Sequence, residues 1–131
     1  GNITVKGAVT TGDIIVNGHI ITSGTTPTIT DLQNLGLVVT IEGNDTAGTI
    51  TVAVPAPAQG QQPVQVTGKV VNVTFAKQFS AKPRMIVNGS DETGTATQPY
   101  LSDKSQTGFS LGTLGQMQAG QTYQFDYFVI Q

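Results

Sequence analysis

Apolar residues in this chain almost never recur at helical spacing. They alternate with polar ones or stand in short β-branched runs, and turn residues interrupt them every few positions. Only Asp31–Leu37 has the makings of a helical turn. The clearest stretch is Gln121–Gln131, where Tyr123, Phe125, Tyr127 and Val129 share one face. Thr122, Gln124 and Asp126 share the other, which turns apolar at Phe128 and Ile130. That pattern belongs to a strand with one face in a core and the other half covered. Leu37–Ile41 and Thr49–Val54 flank Glu42–Gly48 as a long-looped hairpin, and Pro55–Pro63 is a Pro/Gln loop that no sheet interior accepts. Short strands are also expected at Val64–Thr67, Lys69–Phe75, Arg84–Asn88, Gln98–Ser102 and Gly108–Leu111. The expected fold is all-β, an antiparallel β-sandwich head over residues 37–131.

Residues 1–24 follow another rule. Glycines stand at Gly1, Gly7, Gly12, Gly18 and Gly24, with short apolar pieces between them. Ile3, Val5, Val9, Ile14, Ile15, Val16, Ile20 and Ile21 supply those pieces, and charge is nearly absent. A piece of three or four residues cannot bury its own apolar face, so such repeats gain stability by stacking on neighbours or on other chains. The expectation for residues 1–36 is a short β-structured stalk, or strands that pair with another subunit, followed by the Thr/Pro-rich link Gly24–Gly36. Two ordinary hairpins of the same domain are the plainer alternative. Assembly contacts are therefore assigned to Ile3, Val5, Val9, Ile14, Val16 and Ile20.

Charged residues make up 11% of the 131 residues, against roughly 25% in an average chain. The polar surface must come from Thr, Gln, Asn, Ser and Gly, which suits an extracellular protein meeting neutral surfaces better than a cytosolic enzyme. The net charge is −2, and the six basic residues are scattered. No stripe of cations is present to neutralise phosphates, so nucleic acid is not an expected partner. No run of 18 apolar residues is present, so no membrane-inserted helix is expected. Cysteine is absent, which excludes disulfides, thiolate metal sites and cysteine nucleophiles. The chain opens at Gly1 in mid-pattern and reads as a mature or truncated fragment.

From Val73 onward the chain resembles a known group. Val73-Thr74-Phe75, then Phe79, Pro83 and Arg84, resemble the V-x-F-x-x-x-F-x-x-x-P opening of phage and prophage tail-fibre C-terminal domains and of the H-type lectins. Thr107-Gly108-Phe109 is similar to their T-G-F strand, and Phe125-Asp126-Tyr127-Phe128-Val129-Ile130 to their closing strand. Gly43-Asn44-Asp45-Thr46-Ala47-Gly48-Thr49 resembles a segment common in such fibres and in bacterial surface proteins. The resemblance implies a β-sandwich that associates as a homotrimer, on a virion tail fibre or cell surface, and displays loops for a receptor or glycan.

No catalytic constellation stands out. His19 is the only histidine and lies among the spaced glycines, away from any serine in a sharp turn. Asp91 and Glu92 are adjacent loop carboxylates, not a spaced pair. A lone His19 without a neighbouring ligand assigns no metal, and no cofactor motif occurs. The expectation is a non-enzyme. Its tentative ligand contacts are Asp91, Glu92, Gln98 and Tyr100 in the polar stretch Asn88–Tyr100, where acceptors for hydroxyls lie near an aromatic face. The expected function is a structural and receptor-binding module acting as a homo-oligomer. Alternatives are a carbohydrate-binding lectin, or a filament subunit whose N-terminal strands enter the next molecule.

Overall fold

A computed structural model describes all 131 residues. Eight strands form two four-stranded antiparallel sheets packed as a sandwich. They are β1 (Thr28–Asp31), β2 (Val38–Gly43), β3 (Ala47–Ala53), β4 (Gln65–Thr74), β5 (Arg84–Gly89), β6 (Pro99–Ser102), β7 (Gly108–Gln118) and β8 (Thr122–Ile130). One sheet runs in the order β1-β4-β7-β6 and the other β2-β3-β8-β5. The single helix, α1 (Glu92–Ala96), is one turn long and stands in the β5–β6 connection.

The alternation in the last strand sets the core. Tyr123, Phe125, Tyr127 and Val129 are buried, and the residues between them are exposed. They meet Ile50 and Val52 of β3, Val66, Val71 and Val73 of β4, and Phe109 and Leu111 of β7 in one cluster. Phe79, Phe75, Phe109 and Tyr127 make a chain of ring contacts with centroids 5.0, 5.9 and 5.7 Å apart. Such pairs add about 0.5–1.5 kcal/mol each beyond the area they bury. The V-x-F-x-x-x-F-x-x-x-P pattern is thus a packing pattern, since Val73, Phe75 and Pro83 are buried and Phe79 packs against the core.

Gly43–Gly48 has a local explanation too. Asn44 Oδ1 accepts from the N–H groups of Thr46 and Ala47, closing a tight turn where a long loop was expected. Asp45 accepts from the N–H groups of Ala76 (2.7 Å) and Lys77 (2.8 Å), which ties this turn to the β4–β5 loop. Gly48 lies opposite Tyr127, and a Cβ there would overlap the tyrosine hydroxyl.

Four expectations are corrected. The link Gly24–Gly36 contains β1, which pairs with β4, so the sandwich begins before residue 37. Asp31–Leu37 forms no helical turn because its first residue is taken by that pairing, and Asp31 Oδ1 instead accepts from Gln33 N. The pieces Val64–Thr67 and Lys69–Phe75 are one strand, bent by irregularities on either side of Gly68 at φ 79°. Finally, residues 1–27 form no strand and take part in no backbone–backbone hydrogen bond, so neither a β-structured stalk nor a pair of hairpins forms within the chain.

Candidate functional site

The four residues assigned to a ligand do not make one site. Asp91 caps α1, its Oδ1 accepting from Gly94 N at 2.8 Å. That carboxylate satisfies an otherwise unpaired helix N–H and is committed to the fold. Glu92 stands exposed in the first turn, and Gln98 turns the chain out of α1 at φ 53°. None of these three lines a surface groove; Tyr100 does, between β5 and β6. The polar stretch read as a free loop is therefore half structural. A single capped turn of Gly and Thr carries no apolar periodicity, which is why it reads as loop.

Tyr100 has different neighbours from those expected. It pairs with Gly112 on β7, and Gly112 pairs in turn with Lys69 on β4. A Cβ at position 112 would lie 2.5 Å from Tyr100 Cζ, so the ring occupies the space that glycine leaves. The ring stays half-buried on the outer side of its sheet, because the inward row of β6 is held by Leu101 against the core. Beside it, Lys69 Nζ meets Asp103 Oδ2 at 2.8 Å, and Ser102 Oγ lies 3.3 Å from the same oxygen. Ser110 Oγ donates to Asn72 Oδ1 at 3.3 Å one row further along. Asp103 sits at φ 50°, a conformation that Asp tolerates better than most residues. The Lys69 ammonium holds the Asp103 carboxyl below the usual carboxylate range. Tyr100, Gly112 and Lys69 thus share one row across the sheet, and Ser102, Ser110 and Asn72 the next. Lys69 and Asp103 neutralise each other. Sequence reasoning singled out Tyr100 and not Lys69, Ser102, Asp103 or Ser110, which only the strand register brings to the same face.

The second surface is the N-terminal arm, residues 1–27. Its eight large apolar side chains, from Ile3 to Ile21, are between 47% and 93% exposed. Two bonds hold its base to the head: Asn44 Nδ2 donates to Thr22 Oγ1 at 3.1 Å, and Thr26 Oγ1 donates to the Gly43 carbonyl at 2.9 Å. A third apolar surface lies on the outer face of β5 and β8, where Ile86, Phe128 and Ile130 are exposed beside Arg84 and Met85. No group of three or more His, Asp or Glu side chains is placed to hold a metal ion, and His19 is exposed on the arm. No helix is long and apolar enough to cross a membrane. No family model, curated protein or solved structure matches the chain.

Proposed function

We propose that this chain is a structural and receptor-binding module that acts outside cells as a homo-oligomer, without catalysing a reaction. The observation that carries the reading is the arm: eight β-branched apolar side chains on a segment with no strand and no core of its own. Monomeric proteins rarely leave such a continuous apolar surface in water, and unpaired extended backbone adds to the drive to associate. Covering it removes apolar area at roughly 25 cal/mol per Å². Full-length protein is expected to self-associate in sedimentation velocity over a dilution series. Replacing Ile14 and Ile20 together by Asp removes two side chains, each stabilising by about 1.5–3 kcal/mol when buried, and is expected to weaken association by roughly 100-fold or more. Wild-type protein that is monomeric throughout overturns the reading.

Receptor binding has its own support in the constellation around Tyr100. An aromatic face beside paired acceptors and donors fits the C–H face and the hydroxyls of a neutral sugar. Tyr100→Leu keeps Gly112 covered but removes the ring, and Asp103→Asn removes the charge. The Lys69–Asp103 pair is half-exposed, and such solvent-screened pairs add little to stability. The double variant is therefore expected to melt close to wild type while losing at least roughly tenfold in affinity for neutral glycans on an array. Equal binding by both proteins places the contact elsewhere.

A further inference from the structure

Of the four sheet edges, β2 and β5 are the two long enough to seat another strand. β1 and β6 are four residues long, and β6 opens with Pro99. β2 and β5 are six residues long and carry one charge each, Glu42 and Arg84, and Met85–Asn88 of β5 carries no charge and no proline. Short strands, charges and prolines are the ordinary guards of an edge. The bonding phase of β5 follows from Ser90 N donating to the Gln124 carbonyl. Ser90, Asn88 and Ile86 thus face β8 with their backbone groups, by the antiparallel alternation, so Met85 and Val87 turn N–H and C=O to the open side. The far end of the strand is closed, because α1 packs on Gly89. The open part has apolar surface on both sides. Ile86, Phe128 and Ile130 lie on the outer face, and Met85, Val87 and Leu101 line the groove towards β6.

A strand laid along such an edge must be apolar on both of its faces. The arm contains one run of three consecutive apolar β-branched residues, Ile14-Ile15-Val16, bounded by Asp13 and Asn17. In an extended conformation Ile14 and Val16 point one way and Ile15 the other. All three are exposed, and the arm's own base is fixed at the β2–β3 turn, with β8 between that turn and β5. The lone chain therefore leaves both the β5 edge and the arm's longest apolar run uncovered.

We infer that Asp13–Asn17 of a second copy of this chain pairs with β5 as a fifth strand of the sheet β2-β3-β8-β5. The inference rests on the assembly reading above and specifies where the arm is seated. Exchange of arms that closes on itself yields a ring such as a trimer, and exchange that does not close yields a filament.

The test is amide hydrogen exchange on the full-length chain, measured residue by residue from dilute to concentrated solution and paired with sedimentation. The Met85 and Val87 amides are expected to slow by roughly tenfold or more as oligomers form. The full-length variant Ile15→Asp should leave them fast at every concentration. If oligomers form while both amides stay fast, the seating on β5 is wrong and self-association stands. Protection that is the same at all concentrations assigns the edge to the chain's own arm and overturns the exchange. Concentration-dependent protection that survives Ile15→Asp assigns the edge to another surface and also overturns it. A monomer throughout removes both readings together.

Discussion

Phe125→Ala is expected to lower the free energy of unfolding by about 3–5 kcal/mol, the range for truncating a buried aromatic ring. The upper part of that range applies here because the site has little to collapse with. Phe125 is fully buried and lies between Ile50 on β3 and Gly89 on β5. Gly89 has no side chain to swing into the space, and its own position is pinned, since a Cβ there would overlap the backbone of Thr95. Ile50 is itself fully buried in the same cluster. The cavity left by the ring therefore persists, and cavity volume is what separates costly truncations from mild ones. A domain of this size has about 5–15 kcal/mol of stability in all, so the variant should melt many degrees lower, or fail to fold. Urea unfolding of the two proteins, with the slope compared as well as the midpoint, measures the difference. A midpoint close to wild type contradicts the assignment of this face to the core.

What the sequence made legible followed from period. Strict alternation in Thr122–Ile130 names the buried row by itself, because a two-residue period has only two faces to choose between. Strands rich in Val and Ile are equally plain. Three elements are not. β1, Thr-Ile-Thr-Asp, is too short and polar to stand out, and exists because Ile29 packs against the core while the strand pairs with β4. The second half of β7, from Gly112 to Gln118, is Gly- and Gln-rich and is a strand by virtue of its pairing with β4 and β6. The helix α1 depends on one cap. The site around Tyr100 is less legible still. Lys69, Asp103 and Gly112 are distant in sequence, and a register shifted by one residue would put Tyr100 on the opposite face. The arm shows the reverse case. Spacing and apolarity alone set its residues apart from the head, and within one chain they find no place in the core.

Tyr127→Phe separates the packing of a ring from the work of its hydroxyl. The ring lies over Gly48, and Oη donates to the Asn44 carbonyl at 2.6 Å in the interior. Removing the hydroxyl keeps the ring and leaves that carbonyl without its partner, a loss of about 1–3 kcal/mol near neutral pH. The pH dependence gives the prediction its sharper edge. Burial, and then the nearby Asp45 carboxylate, push the Tyr127 hydroxyl from 10.0 up to about 12. The group is neutral in the fold, and a raised value means the folded state holds its proton over a range where the unfolded chain has released it. Stability from this source is therefore fully present below pH 10 and is lost as pH climbs towards 12, by roughly 1.4 kcal/mol for each unit of difference. Phe cannot ionise, so Tyr127→Phe lacks this decline, whereas the titration of every other tyrosine and lysine is common to both proteins. The stability gap should be widest near neutrality and should narrow between pH 10 and 12, measured by urea unfolding of both proteins at each pH. A gap that stays constant or widens over that range would mean the hydroxyl ionises as readily in the fold as in the unfolded chain, and so is not held in the interior by Asn44.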